Sequence, residues 1–164
     1  MAYTATMRIL GVDPGLTTAG LGLIETRKRA EPKAIEWLTI ETSSGLPLPE
    51  RLKELASDFE SFLCDAKPDL AIVEKLFFAK NKRTAIETAH ARGVILATLA
   101  LAGIEIIEIT PAELKMAIAG DGKADKKQMQ SMVKRTLKLK EIPTPADAAD
   151  GLALALYGAF TKKL

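Results

Sequence analysis

RILGVDPGLTTAGLGLIE, running from Arg8 to Glu25, is the stretch that decides the fold. Arg8–Val12 is a short apolar run closed by Asp13, Pro14 and Gly15, the composition of a buried strand ending in a tight turn. The chain resumes as a second strand over Leu21–Thr26, with glycines at Gly20 and Gly22. Asp13 has two readings at this stage: turn former, or first carboxylate of a site. A third strand follows over Ile35–Thr42, and three strands in succession without a helix describe an antiparallel meander.

Beyond the meander the periodicity changes. Leu52, Leu55, Ala56, Phe59, Phe62 and Leu63 recur at helical spacing within Leu48–Ala66, with Cys64 expected to pack in the same helix. Leu70–Glu74 is a buried strand that ends in a carboxylate. Thr84–Gly103 is a long helix, apolar nearly all round, and Glu105–Ile109 a further strand. Thr110, Pro111 and Glu113 have capping-box spacing for the next helix. The glycine-flanked loop GDGKAD leads to a basic helix, capped by Asp125 with Gln128 and reaching about Leu137, and Thr144–Pro145 opens the last helix. The order βββαβαβααα predicts an α/β fold, a mixed β-sheet flanked by α-helices, in one domain spanning residues 1–164.

The bulk composition sets outer limits on function. At 164 residues, 48% hydrophobic and 27% charged, the chain is an ordinary globular domain with room for a sizeable core. No apolar run approaches the roughly 20 residues that span a bilayer, and no signal-peptide order is present, so the cytoplasm is the expected compartment. One cysteine and one histidine cannot build a four-ligand zinc site, so a metal would be held by oxygen. Charge is unevenly spread: residues 1–110 carry 13 Lys+Arg against 15 Asp+Glu, and residues 111–164 carry 10 against 6. Lys115 to Lys140, including Lys123 and Lys127, reads either as a phosphate-backbone footprint or as a solvated helix face.

Four carboxylates from three distant segments can converge. Asp13 and Glu74 each end a strand, and if those strands are parallel neighbours both acids emerge at the same sheet edge. Asp147 and Asp150, three apart on the last helix, share a face. A capping box with Thr144 accounts for Asp147 but not for Asp150, which immediately precedes the apolar GLALAL. Clustered acids repel one another, and a divalent cation relieves that repulsion. Hard Mg²⁺ or Mn²⁺ suits an oxygen-only site, and two such ions about 4 Å apart can support phosphodiester hydrolysis. EKLFFAKNKR, directly after the fourth strand, interleaves Phe77 and Phe78 with Lys80, Lys82 and Arg83, an arrangement suited to stacking on an unpaired base. Phe77 is the expected DNA contact and Phe78 the expected packing residue.

Five stretches in order, ILGVDPG, AIVEKLFFAKN, ARGV, TPAELKMAIAGDGKADKKQMQ and DAADGLALAL, cover nearly the whole chain. Together they resemble the RuvC family of bacterial Holliday-junction resolvases. The resemblance implies a ribonuclease H-like fold, a homodimer, Mg²⁺-dependent paired nicking of four-way DNA junctions in recombination and repair, and cooperation with the RuvA–RuvB branch-migration complex. It places catalytic, metal-binding acids at Asp13, Glu74, Asp147 and Asp150, a junction-inserting aromatic at Phe77, and cleavage lysines at Lys115 and Lys126. Some relatives carry His where this chain has Asp147, and many carry Gln where it has His90, which is read here as a packing or dimer-interface residue. MAYTAT precedes the usual start and is expected to fray. Gly15, Gly20 and Gly22 are expected to leave room for backbone or DNA to approach closely.

Competing readings are an RNA-directed ribonuclease H-like nuclease and a junction-binding protein without catalysis. The first lacks FFAKN and GKADKKQ counterparts, and the second leaves four acids without a purpose.

Overall fold

The computed structural model describes residues 6–76 and 82–162, without the side chains of Lys82 and Arg83. Three strands open the chain: β1 (Thr6–Asp13), β2 (Thr18–Arg27) and β3 (Lys33–Glu41). They are followed by α1 (Leu48–Ala66), β4 (Leu70–Glu74), α2 (Lys82–Leu101), β5 (Glu105–Ile109), α3 (Pro111–Ala119), α4 (Lys126–Thr136) and α5 (Ala146–Thr161). The five strands form one sheet in the order β3-β2-β1-β4-β5. β2 runs antiparallel to both β1 and β3, while β1, β4 and β5 are parallel. The expected mixed sheet and its meander are therefore present. Thr6 already pairs with Arg27, so the strand begins inside the stretch expected to fray.

Alternation along the strands divides the core in two. Leu10, Val12, Leu21, Leu23, Ala71 and Val73 face α1 and α2. Ile9, Ile24, Leu70 and Ile72 face α5, with α3 and α4 packed outside it. The same parity carries Gly11 and Asp13 of β1, Gly20 and Gly22 of β2, and Glu74 of β4 to the α5 side. α1 buries Leu55, Phe59, Leu63 and Ala66. Cys64 departs from expectation. It is exposed, because a residue directly after the buried Leu63 turns about 100° away from the sheet.

α5 lies on the sheet backbone itself. A methyl group in place of hydrogen would sit 1.9 Å from the Gly151 carbonyl at Gly11, 1.9 Å from the Asp147 carbonyl at Gly20, and 2.2 Å from the Leu152 nitrogen at Gly22. On the helix side, Gly151 meets Gly22 and Leu21, and Gly158 meets Ile9 and Ile72. The expected close approach at Gly20 and Gly22 is thus made by helix backbone.

Candidate metal centre and its neighbours

Strand register explains why distant acids meet. β1 and β4 are parallel with Val12 opposite Val73, so Asp13 and Glu74 leave adjacent strands at the same edge and on the same face. Across the antiparallel pair, Asp13 is opposite Gly20, and Gly20 is where the Asp147 carbonyl touches the sheet. One turn further along α5 lies Asp150. One carboxylate oxygen from each of Asp13, Asp147 and Asp150 lies within 4.8 Å of the other two. Asp147 does not cap through Thr144: the helix starts after Pro145 without a side-chain cap, and Asp147 stands in its first turn.

Glu74, beside Asp13 on the neighbouring strand, lines the same notch. A cavity of about 200 Å³ is lined by Asp13, Glu74, Lys115, Lys126 and Asp150 over an apolar floor that includes Leu114, Met129 and Ala153. A second cavity of about 230 Å³ shares Asp13 and Glu74 and extends to Lys75, Thr88 and Arg92. The two acids therefore form a partition between adjoining recesses. A larger groove, about 700 Å³, lies between the C-terminal ends of α1 and α2 and has Glu60 as its one acid, so size does not mark the chemistry here.

The electrostatics of the notch are those of acids short of cations. Burial, followed by the charges of Glu74, Asp150 and Asp147, pushes the Asp13 carboxyl up to about 8, against a small opposing pull from Lys126. Burial and then Asp150 raise Glu74, while Lys115 lowers it. Asp150 is also raised, chiefly by burial, although the Lys126 ammonium stands 3.3 Å from its Oδ2. Two lysines thus face four carboxylates. Hard, oxygen-only donors held above their ordinary proton affinities fit a divalent cation of the Mg²⁺ or Mn²⁺ class. Because Asp13 must release its proton when a cation binds, affinity for Mn²⁺ is expected to fall about tenfold per pH unit below pH 8. Calorimetric titration between pH 6 and pH 9 measures this, and a flat profile would contradict it.

Local sequence chemistry holds the two lysines in place. Thr110 and Glu113 form the expected capping box at the start of α3, which carries Lys115. Asp125 and Gln128 form the other, which sets Lys126 in the first turn of α4. Gly120, at φ 72°, closes α3 in the left-handed conformation, so at least one glycine of the GDGKAD region is a helix stop. Lys123 and Lys127 are exposed, and Lys127 lines a separate recess with Asp121 and Gln128. Phe77, Phe78 and Lys80 lie outside the described residues, as do the side chains of Lys82 and Arg83.

Arg92 has no assigned role in the sequence reading beyond its place in ARGV. Its Nε donates to the Glu74 carbonyl at 3.1 Å, and its guanidinium pairs with Glu108 of β5. The end of β4 is therefore tied to α2 and β5 at the residue that carries the carboxylate. Arg92 is the last charged residue of α2, directly ahead of the uncharged stretch GVILATLAL, and that was the available signal. His90 is exposed and lines a recess of about 540 Å³ with Leu46, Arg51 and Ile86, so it is not a core packing residue of this chain.

Comparison with known proteins agrees with this geometry. The family profile described as RuvC, crossover junction endodeoxyribonuclease RuvC, matches residues 9–157. The enzyme of that name from Brevibacillus brevis is 44% identical over 150 residues, covering 92% of this chain and 90% of its own. Its counterpart from Chloroflexus aggregans is 46% identical over 155 residues, covering 94% of each. Among solved structures, Thermus thermophilus RuvC in complex with a Holliday-junction substrate superposes with a TM-score of 0.89 at 32% identity, over 96% of this chain and 95% of that one. The yeast mitochondrial Holliday-junction resolvase Ydc2, at 12% identity and a TM-score of 0.67 over 92% of this chain and 77% of its own, shares the fold.

Proposed function

Because the chain belongs to the RuvC family of crossover junction endodeoxyribonucleases, we propose that its carboxylate notch makes paired, symmetric nicks in four-way DNA junctions. The chain is a phosphodiester-hydrolysing endodeoxyribonuclease with a ribonuclease H-like fold, acting in recombination and repair. The observation that carries the finer reading is the meeting of Asp13, Asp147 and Asp150 within 4.8 Å, with Glu74 lining the same recess.

Asp13, Asp147 and Asp150 would hold the cation, with Glu74, beside Asp13 on the neighbouring strand, completing the set. When bound, Mg²⁺, two ions per site in this reading, would supply activation of the attacking water and neutralisation of charge on the phosphate and the leaving oxygen. Hydrolysis leaves 5′-phosphate and 3′-hydroxyl ends. Lys126 is paired with Asp150 in the free protein, and an arriving phosphate offers its ammonium a second anion at the same spot. Lys115 plays the corresponding part beside Glu74. Leu114, Met129 and Ala153 keep the floor of the recess apolar, which strengthens every charge interaction above it. Phe77 stacks on a base at the junction centre, and Lys80, Lys82, Arg83, Lys123 and Lys127 contact the phosphate backbone.

Two cuts related by a two-fold axis call for two sites so related, hence a homodimer. The face of α2 that turns away from the sheet, with Ile86 59% and Leu101 90% exposed, supports that interface. RuvA–RuvB is the expected partner complex and the cytoplasm the compartment. Among the described residues no helix is long and apolar enough to cross a membrane.

The test is cleavage of a labelled synthetic four-way junction with Mg²⁺ and with chelator, alongside sedimentation at micromolar concentration. Symmetric cuts that require the metal, made by a dimer, are the expected result. Binding without cutting would mark a recognition protein, preferential cutting of RNA would mark the other nuclease class, and a monomer making paired cuts would remove the dimer.

A further inference from the structure

The positive charge of the chain does not stop at the notch. α4 turns Met129 and Val133 inward, which leaves Lys127 and Lys134, seven residues and almost two full turns apart, along one outer stripe. Just beyond the helix, Lys138 adopts φ 52° and pairs with Glu31, 107 residues earlier in the chain. Glu31 lies in the turn between β2 and β3, next to the exposed Lys28 and Arg29. Two segments are joined by this contact, Arg27–Lys33 and Lys134–Glu141. Each holds four Lys or Arg and one Glu.

The joined segments lie at the end of the sheet opposite the carboxylates. Asp13 ends β1 at the notch, while Met7 pairs with Thr26 at the other end, where β2 runs out into the turn. Six residues of strand span about 20 Å at roughly 3.3 Å each. With Lys28 two residues further on, this basic end is about 20–26 Å from the metal site. A DNA strand rises about 3.4 Å per nucleotide, so that interval is about six to eight base pairs. The stripe on α4 bridges the interval.

We propose that this end of the molecule is a second phosphate-binding surface, which grips the duplex arm six to eight base pairs from the cut through Lys28, Arg29 and Lys138. The proposal rests on the notch being the place of cleavage. Continuity of charge from Lys126 through Lys127 and Lys134 to Lys138 favours duplex DNA as the occupant. An acidic protein would not require charge spaced along a line from the scissile phosphate. Contacts of this kind position the arm and read no sequence. Glu31 holds the two segments together and occupies one ammonium until phosphate competes for it.

The test combines a triple variant, K28Q/R29Q/K138Q, with junctions carrying neutral methylphosphonates six to eight nucleotides to either side of the cut. Glutamine keeps an unbranched side chain at Arg29 and Lys138, the two left-handed positions, and all three residues are exposed. The triple variant is expected to bind a long-armed junction about tenfold more weakly and to reduce the slope of log K against log salt by two to three. Its cutting rate at saturating protein should be unchanged. Methylphosphonates on one side should cost the unsubstituted protein a similar factor and the triple variant almost nothing more. Glu31→Gln should tighten binding. Unchanged affinity and salt slope in the triple variant would overturn the proposal, as would full additivity of protein and DNA changes. A protein that binds with this pattern but never cuts would overturn the nuclease reading and leave the surface in place.

Discussion

Asp13→Asn is expected to bind four-way junctions as tightly as the unsubstituted protein and to cut them about a thousandfold more slowly or worse. The amide keeps the shape of the side chain at the β1 edge but removes one of three charges within 4.8 Å of one another. Loss of a preorganised contact to the developing charge of a transition state costs about 10²–10³ in rate, and loss of a metal ligand adds weaker metal occupancy. Stability should move the other way. In metal-free protein the Asp13 carboxyl titrates at about 8 instead of 3.8, so the folded state binds this proton more tightly than the unfolded state. That contribution is fully present below about pH 4, declines as pH rises through the window, and is gone above about pH 8. With chelator present, Asp13→Asn should therefore melt close to the unsubstituted protein at pH 5 and higher at pH 9. Each kcal/mol is worth about 2–4 °C in a domain of this size. Scanning calorimetry at the two pH values measures the difference. A variant that cuts at the original rate would remove Asp13 from the metal set, and one that melts equally at both pH values would refute the charge-repulsion account.

Legibility from sequence followed the strength of the local signal. Leu48–Ala66, Leu70–Glu74 and Glu105–Ile109 are found with the bounds read from hydrophobic spacing and turn residues, because burial and local propensity agree there. The meander strands are longer than the apolar runs suggested. Thr18, Ala19 and Gly20 extend β2 by pairing with β3, and pairing is not written in composition. Parity was available but unused: Asp13 is even-numbered steps from Ile9, and Glu74 from Ile72, which is why both acids reach the α5 face. The Thr144 capping box was the wrong account of Asp147, since the helix starts one residue later, after Pro145. Arg92 could not be read as a strap on Glu74, because the Glu74 carbonyl and Glu108 meet it only through the β4–β5 pairing. The basic end at Glu31 and Lys138 was half visible, since charge counted along the chain misses a turn 107 residues away.

Gly20→Ala is expected to cost more than an alanine normally does, and to cost activity before it costs the fold. The added methyl group would lie 1.9 Å from the Asp147 carbonyl oxygen and 2.3 Å from its carbon, both backbone atoms that no rotamer change can move. Ordinary C···O contacts are about 3.3–3.6 Å, so the start of α5 must lift by about 1.5 Å. Overpacking of this kind typically costs about 1–3 kcal/mol. The helix can lift at this end because its later turns remain held at Gly22, Gly11 and Ile9. The lifted turn, however, is the one that carries Asp147 and Asp150, while Asp13 stays on the sheet opposite residue 20. A displacement near 1 Å in a catalytic constellation can cost about a hundredfold in rate. The expected result is a folded protein with native circular dichroism, a melting temperature several degrees lower, Mn²⁺ binding weakened and cleavage down at least about a hundredfold. Gly45→Ala is the matched control, because nothing lies within 4 Å of the methyl group it adds, and it should behave as the unsubstituted protein does. Full cleavage by Gly20→Ala would mean that the glycine is there for the turn after Asp13 and not to seat the two helical acids on the strand that carries the third.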